Sequence, residues 1–285
     1  MVQLKVTVKR IFWFIKDFFS LVYLRRGYVP LRYFSAKKNV GDALNPYLVS
    51  KITKKRVYET KSNLFEHILG VGSILHFASS KSIVWGSGII DPTILPKIDT
   101  ILQLKVTSLR GIKTKELLIE KGLAVYDCPL GDPAILMPLF YNPSVIKKFK
   151  VGVVPHYVDN ETEVIEYLAT LPGVCIIDVA NSPEEFVDHL CQCETIISSS
   201  LHGLILSDAY KIPNIWAVFS DNILGGRFKF TDYYSTTNNS TPEPLHLLCV
   251  EDLAENLEHI ISKAKVSDYS FDNSDLLASF PKKFL

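Results

Sequence analysis

The chain has 285 residues, of which 47% are hydrophobic, and its formal net charge is +1 at neutral pH. The length allows one large domain or two of ordinary size, and this hydrophobic content excludes a disordered chain. The nearly balanced charge gives no overall electrostatic case for nucleic-acid binding, so no nucleic-acid partner is expected. The five cysteines form neither a C-x-x-C pair nor a Cys/His zinc spacing, which predicts reduced thiols in a cytoplasmic protein and no metal site.

The first 26 residues are rich in aromatic and basic side chains. Residues 1–40 carry nine lysines and arginines against Asp17, a net charge of +8, so the remainder of the chain carries −7. Lys16 and Asp17 interrupt the apolar run, which leaves no uncharged stretch of about 18 residues for a transmembrane helix. We predict that residues 1–26 form an amphipathic segment for peripheral contact with the inner face of an anionic membrane. A helix that covers the first sheet is the alternative.

Residues 27–145 alternate between short buried-strand patterns and helical patterns, which predicts a first α/β domain. The predicted strands are Leu31–Phe34, Ile68–Val71, Ser82–Trp85 and Val106–Leu109. The predicted helices are "ALNPYLVSKI", with Pro46 in its first turn, and "KTKELLIEKG", which Gly122 ends. The link "YNPS" marks the boundary to a second domain.

Residues 146–285 show the same alternation with clearer signals. The predicted strands are Val151–Val154, Val174–Val179, Thr195–Ser198 and Ile215–Phe219. Two of the predicted helices are Glu161–Leu171 and Glu251–Lys263. A third begins at the capping box Ser182–Glu185 and runs to about Cys191. The fourth is "LHGLILSDAY", which Pro213 ends. Strands and helices at this spacing predict parallel sheets, so the fold class is α/β: two Rossmann-like domains whose parallel sheets face a cleft.

Seven short motifs follow one another along the chain. They are "NVGDALNPYL" from Asn39, "GVGSIL" from Gly70, "VWGSGI" from Val84, "SLRG" from Ser108, "GDPAIL" from Gly131, "LHG…A…P" from Leu201 and "FKFTDYY" from Phe228. In this order they resemble the polysaccharide pyruvyl transferase family, over roughly residues 31–234. Many members have Arg immediately before Leu-His-Gly, whereas this chain has Ser200. Anion binding by that Arg therefore cannot be carried over, and either another cation replaces it or the donor differs.

The resemblance implies a GT-B-like architecture with an active site between the domains. It implies transfer of pyruvate from phosphoenolpyruvate to a sugar of a cell-surface polysaccharide, or to its lipid-linked precursor, without a cofactor. The first domain would lie on the acceptor side and the second on the donor side. Two alternatives stay open: a GT-B glycosyltransferase that uses a nucleotide sugar, and a non-catalytic glycan- or anion-binding protein.

Two histidines are the leading catalytic candidates. In an open parallel sheet, ligands bind beyond the carboxyl ends of the strands. His202 lies there in the first turn of a helix, whose free N–H groups attract anions, and His156 follows the first strand of the second domain. An imidazole can bind phosphate or transfer a proton near neutral pH, so we assign His202 as general acid or phosphate ligand and His156 as its partner. Simple helix and loop caps are the alternative.

Charged residues near the strand ends supply the other candidates. Arg110 ends a strand and could hold a carboxylate or phosphate, unless it pairs with an acid such as Glu116. Arg227 and Lys229 in "GGRFKF" alternate with phenylalanines, which predicts that both cations point into the cleft; a solvated edge is the alternative. Asp42 is either a helix N-cap or the base that takes a proton from a sugar hydroxyl. Asp132 and Asp221 are lesser candidates.

The remaining candidates lie in the motifs and in glycine-rich turns. Such turns let a backbone approach a ligand closely, although simple tight turns are commoner. We predict substrate contacts for Asn39, Gly41, Gly86, Ser87, Ser200 and Gly203.

Overall fold

The structure, a computed structural model, describes residues 27–61, 63–222, 225–240, 242–250 and 257–285, together with Phe12, Ile15 and Leu253. The predicted amphipathic segment 1–26 therefore lies outside the described residues apart from Phe12 and Ile15, and so does much of the predicted helix Glu251–Lys263. Within the described part of the chain, no helix is long and apolar enough to cross a membrane.

The first half of the chain builds a five-stranded parallel sheet in the order β2-β1-β3-β4-β5. Its strands are β1 Val29–Leu31, β2 Val57–Glu59, β3 His67–Leu69, β4 Ser82–Trp85 and β5 Lys105–Ser108. Three of them, β1, β3 and β4, are buried at every position, as expected for strands covered on both faces.

The second half builds another five-stranded parallel sheet, in the order β10-β9-β8-β6-β7. Its strands are β6 Phe149–Val154, β7 Val174–Ile176, β8 Cys193–Ser198, β9 Asn214–Val218 and β10 Leu245–His246. The two sheets have the same topology, because in each the first strand lies between the second and the third. Two parallel α/β sheets confirm the predicted fold class.

Helices connect most of the strands, and two further helices follow the last strand. They are α1 Val40–Thr53, α2 Ile98–Ile101, α3 Ile112–Glu120, α4 Glu163–Thr170, α5 Pro183–Cys191, α6 Leu201–Ala209, α7 Phe228–Tyr234, α8 Leu257–Ile261 and α9 Asn273–Ala278. The capping box predicted for α5 is confirmed, since the Ser182 and Glu185 side chains each accept the other residue's backbone N–H.

Helix α1 begins earlier than predicted. The Asn39 side chain accepts the Gly41 backbone N–H at 2.9 Å, so the helix begins at Val40 within the predicted loop. Pro46 consequently lies inside the helix and not in its first turn, where it leaves the carbonyl of Asp42 without an intrahelical donor. The prediction also missed β2 and β10, which are only three and two residues long and give too short a pattern to detect.

The hydrophobic core is continuous between the two halves. Leu44 and Leu48 of α1 belong to the same buried cluster as Phe186 of α5 and Leu204 of α6. The C-terminal segment also returns to the first sheet: Leu276 and Phe280 pack with β1 and β4 residues, and the Trp85 indole N–H donates to the Leu276 carbonyl at 3.0 Å. The two halves are therefore packed against each other at α1, and the C-terminal segment packs on the first sheet.

Candidate functional site

In each sheet there is one point at which the strand order changes direction. The two points, one in each sheet, open on the same cavity. In the first sheet the change falls between β1 and β3, and in the second between β6 and β8. Ligands of open α/β sheets bind in the crevice beyond the carboxyl ends of the strands at such a point. The cavity there has a volume of about 220 Å³, and residues from both halves line it. We call it the central cavity.

Six of the twelve residues predicted for the site line the central cavity. They are Asn39, Asp42, His156, Ser200, His202 and Lys229. The first domain supplies two of them and the second domain supplies four. The predicted crevice residues of the two domains therefore do come together.

The imidazole of His202 is held between backbone segments of the first domain. A Cβ atom built on Gly41 would lie 2.1 Å from its Nδ1, and one on Gly72 would lie 3.9 Å from its Cε1. Real side chains never approach so closely as the first distance, so Gly41 is the residue that leaves room for the ring. Gly41 thus acts on the site through His202 and does not itself line the cavity.

Asp132 faces the other ring nitrogen of His202. Its Oδ2 lies 3.8 Å from His202 Nε2, and neither buried atom has a hydrogen-bond partner among the described residues. Asp132 Oδ1 is occupied, since it accepts the Ala134 backbone N–H at 3.0 Å. Buried polar atoms without partners are uncommon, and they are often found at catalytic centres. Asp132, only a lesser candidate from the sequence, is therefore a partner of His202 across the domain interface.

Burial and nearby cations keep both histidines neutral. Burial, Arg110 and Lys229 lower the pKa of His202 to about 3. Burial, Lys229 and Lys37 lower the pKa of His156 to about 4. Both imidazoles are thus uncharged at neutral pH, and a bound anion would raise their pKa values by offsetting the positive charge around them.

Lys229 supplies a positive charge to the cavity wall. It is only 7% exposed, and among the described residues no carboxylate lies within ion-pair distance of its ammonium group. Burial, followed by Arg110, lowers its pKa to about 8. Asp159 raises this pKa and so offsets part of the effect, and Lys229 Nζ lies 5.3 Å from the centroid of the Phe230 ring. A buried charge without a carboxylate at ion-pair distance is still unfavourable, so its position on a cavity wall suits an anionic ligand.

A hydrogen-bond chain orients His156. Its backbone N–H donates to Ser199 Oγ at 2.9 Å, and that hydroxyl donates to the buried carboxylate of Asp159 at 2.5 Å. Its Nδ1 accepts the Val158 backbone N–H at 3.4 Å, which leaves the proton of the neutral ring on Nε2. His156 can therefore donate a hydrogen bond from Nε2 to a ligand. Neither Ser199 nor Asp159 belongs to one of the seven motifs, and neither was predicted for the site from the sequence.

Asp42 is not the cap of α1, because Asn39 caps that helix. Its carboxyl group lines the cavity from the first helical turn, and burial raises its pKa to about 7. A carboxyl group with a pKa close to neutrality can take up or release a proton during a reaction near pH 7.

Arg110 lies behind the cavity wall and not on it. Its side chain is fully buried; its Nε donates to Asp232 Oδ2 at 2.8 Å and its Nη2 to the Ile89 carbonyl at 2.7 Å. Its Nη1 donates to the hydroxyl of Ser73, which does line the cavity. The pairing acid is Asp232 of α7 and not Glu116, so Arg110 joins the two halves of the molecule.

The prediction that Arg227 and Lys229 point the same way is wrong, because "FKFTDYY" is the helix α7 and not an extended segment. Residues two positions apart on a helix do not share a face. Lys229 reaches the central cavity, whereas Arg227 is half exposed, pairs with Glu243 at 2.5 Å and lies over the Trp216 ring.

Gly86, Ser87 and Gly203 shape the site without lining the central cavity. Gly86 has φ +77°, and a Cβ there would lie 2.3 Å from Pro133. A Cβ on Gly203 would lie 2.3 Å from Ser198 Oγ, so this glycine lets α6 pack against β8. Ser87 donates its hydroxyl to the Gly72 carbonyl at 3.1 Å, which fixes a glycine turn of the cavity wall. Asp221, a lesser candidate, is exposed.

The sequence reasoning missed several residues of the cavity wall. His76, Ser73 and Phe34 line it from the first domain, and Tyr157 lines it from the second. His76 follows the motif "GVGSIL" within a few residues of a strand end, so the rule that selected His156 could have found it. Within the described residues, no group of three or more His, Cys, Asp and Glu side chains could hold a metal ion.

Fold and site together define an α/β protein with two parallel sheets and, between them, a cavity lined by a buried cation and by ionisable groups suited to proton transfer. The family model for polysaccharide pyruvyl transferases matches residues 39–218. The chain belongs to this family, and it is therefore a transferase whose acceptor is a sugar or a polysaccharide.

Two relatives align with most of the chain. An uncharacterised protein of Acanthamoeba polyphaga mimivirus is 28% identical over 230 residues, which cover 74% of this chain and 75% of the relative. The succinoglycan biosynthesis protein ExoV of Rhizobium meliloti is 27% identical over 216 residues, which cover 73% of this chain and 64% of ExoV.

Two solved structures are similar to this chain at lower sequence identity than these relatives. One is an uncharacterised protein of Klebsiella pneumoniae, with a TM-score of 0.46 and 15% identity, covering 82% of this chain and 98% of that one. The other is the UDP-GlcNAc 2-epimerase of Methanocaldococcus jannaschii in complex with UDP-GlcNAc and UDP, with a TM-score of 0.42 and 13% identity. That alignment covers 93% of this chain and 77% of the epimerase chain.

Proposed function

We propose that this transferase moves pyruvate from phosphoenolpyruvate to two hydroxyl groups of a sugar, forming a ketal in a polysaccharide or in its lipid-linked precursor. The observation that carries the proposal is Lys229, a buried ammonium group without an ion-pair partner among the described residues, on the wall of a cavity large enough for a small anion. Phosphoenolpyruvate brings a phosphate and a carboxylate, and one of them would pair with Lys229.

His202 would protonate the methylene carbon of the donor. Arg110 and Lys229 help burial to keep its pKa low. Donor binding brings negative charge beside these cations and so raises the pKa of the imidazole. Asp132, 3.8 Å from Nε2, would stabilise the imidazolium ion as it forms and fix the orientation of the ring.

The two sugar hydroxyls then react in turn at the C2 carbon of the donor. Protonation converts the methylene group to a methyl group and makes C2 electrophilic; the first hydroxyl oxygen forms a bond to C2 and gives its proton to Asp42. The second hydroxyl oxygen forms the other bond to C2, the bond between C2 and the phosphate oxygen breaks, and phosphate leaves with the electron pair. The second hydroxyl proton leaves with the phosphate. Asp42 then releases its proton to solvent, and His202 takes one up from solvent when the next donor binds, so protons and charge balance over the whole cycle.

The same cations explain how Ser200 can stand where many family members have Arg. Ser200 and Lys229 both line the central cavity. Lys229 therefore brings a positive charge to the same cavity that an Arg at position 200 would line. Arg110 adds positive charge from behind the wall and holds Ser73. Lys229 would therefore be the replacement cation.

We also propose that the protein works in the cytoplasm, with residues 1–26 in contact with the inner face of the membrane. The support is the net charge of +8 in residues 1–40, interleaved with aromatic side chains, on a chain otherwise acidic.

The test is to incubate the purified protein with phosphoenolpyruvate and a panel of sugar acceptors and to measure phosphate release together with the ketal methyl signal by proton NMR. Release of phosphate that depends on an acceptor is the expected result. Tight binding of nucleotide sugars without binding of phosphoenolpyruvate would favour a glycosyltransferase instead. Binding of glycans without any turnover would favour a non-catalytic protein.

A further inference from the structure

A second, larger cavity adjoins the central cavity. Its volume is about 530 Å³, within the range of about 300–1,000 Å³ usual for ligand sites. Residues between Tyr33 and Pro46 line it from the first half, and residues 180–185 line it from the second. We call it the outer cavity. Phe34, Asn39 and Asp42 line both cavities, so the two spaces meet at these side chains.

The proposed reaction needs a second ligand at this junction. Both acceptor hydroxyls must reach the same donor carbon, and a base must contact the hydroxyl that attacks first. The central cavity is small and holds the donor, so the acceptor has to approach from an adjoining space. Asp42 is the ionisable group common to both cavities, which places the base where the two substrates would meet.

The walls of the outer cavity suit a saccharide with an acidic substituent. Tyr33 and Phe34 offer aromatic faces, and Asn39 and Asn181 offer amide groups that donate and accept hydrogen bonds. Among the described residues neither Lys37 nor Lys38 of the wall forms an ion pair. Lys37 Nζ lies 4.5 Å from the centroid of the Tyr157 ring, which lines the central cavity, so Lys37 stands close to the junction of the two cavities.

Glu185 also lines the outer cavity, but its carboxylate is engaged. It accepts the backbone N–H of Ser182 at 3.1 Å and the hydroxyl of Ser182 at 2.6 Å. Its negative charge is thus engaged by the cap of α5, and it forms no ion pair with either lysine.

We propose that the outer cavity is the acceptor site, that the acceptor presents its hydroxyls to Asp42, and that Lys37 and Lys38 hold an acidic group attached to the same saccharide. This inference rests on the proposed function for the identity of the second substrate. The acidic group is either a phosphate at the reducing end or a sugar carboxylate, since both bind to an ammonium group in the same way.

Filling the outer cavity tests its role without touching the donor. Ala43→Trp and Asn181→Trp each place a large side chain in the outer cavity, and neither residue lines the central one. The exposed Ala124→Trp is the matched control. We expect both cavity variants to raise the acceptor KM at least tenfold while the Kd for phosphoenolpyruvate, from calorimetry, stays within twofold. An unchanged acceptor KM in both variants would overturn the proposal.

The lysines are tested with Lys37→Gln/Lys38→Gln against the exposed pair Lys97→Gln/Lys121→Gln. The probes are the methyl glycosides, the 1-phosphates and the uronic acids of glucose, galactose and mannose, with binding measured by saturation-transfer NMR. The first double variant should lose at least tenfold in affinity for either the 1-phosphates or the uronic acids, and the class affected identifies the acidic group. Equal binding of all three classes, unchanged in the variant, would overturn the role of the lysines.

These measurements separate the two levels of inference. If the unmodified protein binds saccharides, and Ala43→Trp abolishes that binding, but no phosphoenolpyruvate is bound or consumed, then the outer cavity is a saccharide site and the proposed function fails. If phosphoenolpyruvate is consumed normally by both cavity variants with an unchanged acceptor KM, the proposed function stands and the location of the acceptor is wrong.

Discussion

Replacing Lys229 with Met removes the positive charge of the cavity wall and keeps a side chain of similar length. If the ammonium group holds the donor, the loss of one charge-assisted hydrogen bond costs about 1.5–3 kcal/mol, which corresponds to a roughly 10- to 150-fold weaker Kd for phosphoenolpyruvate. Calorimetric titration measures this directly. The control is Arg227→Met, two positions away, because Arg227 pairs with Glu243 and does not line the cavity; its Kd should change less than twofold.

The same substitution should make the protein more stable at neutral pH. The folded structure lowers the pKa of Lys229 from 10.5 to about 8, and each pKa unit corresponds to about 1.4 kcal/mol, so its charge destabilises the folded state by roughly 3 kcal/mol below pH 8. This penalty decreases as the pH rises from 8 and disappears above 10.5, where the amine is neutral in both states. Lys229→Met should therefore raise the free energy of unfolding at pH 7 and have little effect near pH 11.

Chemical denaturation at the two pH values, with donor titrations on the same samples, would refute the reasoning in either of two ways. A donor Kd within threefold of the unmodified protein would remove Lys229 from the donor site. A variant that is destabilised at pH 7 would show that interactions within the folded protein already stabilise the ammonium group. Its charge would then be no evidence for an anionic ligand.

His202→Gln should lower kcat at least about 100-fold, the usual contribution of a general acid, while the melting temperature stays close to that of the unmodified protein; activity within threefold would exclude His202 as the acid. Asp132→Asn keeps the Oδ1 acceptor for Ala134, so kcat and its pH profile should change while the donor Kd stays within threefold; a fall in thermal stability with an unchanged pH profile would indicate a purely structural role. Gly41→Ala should displace the imidazole, since a Cβ there would lie 2.1 Å from His202 Nδ1, and the His202 ring signals in NMR would shift; unchanged signals and activity would contradict the close packing. The full chain should sediment with anionic vesicles at low salt, with about 1 kcal/mol from each basic residue near the surface, and a chain starting at Gly27 should not; equal sedimentation of both would exclude the membrane role of residues 1–26.

Local patterns were enough to predict both sheets and the crevice between them. The buried runs at β4 and β6 and the capping box of α5 are determined by neighbouring residues, so the sequence reveals them directly. The rule for parallel strands then predicted that His156 and His202 would face one crevice, and both line the central cavity. These features depend on the spacing of residues within about ten positions, and on the general rule that ligands bind beyond the carboxyl ends of parallel strands.

Features that depend on distant partners could not be predicted in this way. Arg110 looked like a free strand-end cation because nothing near it in sequence shows that Asp232, 122 positions later, occupies its guanidinium group. Arg227 and Lys229 were assigned together because alternation with phenylalanine suits a strand. The segment is a helix in this fold, where Phe230 stacks on Trp216 with ring centroids 4.5 Å apart. Tertiary packing decided the conformation, and the conformation separated the two cations.

The ion pair that keeps Arg110 out of the central cavity also accounts for the position of Lys229. Asp232 lies three residues after Lys229 on α7, and it accepts hydrogen bonds from Arg110 and from the backbone and hydroxyl of Thr114 in the first half of the chain. One end of α7 is thereby fixed to the first domain, and Lys229, close to one turn away, is held over the cleft between the domains. A bound anion would then meet a cation that is already in place, so little conformational freedom has to be lost on binding. Under the proposed function, the charge that many family members supply immediately before Leu-His-Gly would in this chain come from α7, a helix that the opposite domain holds in position.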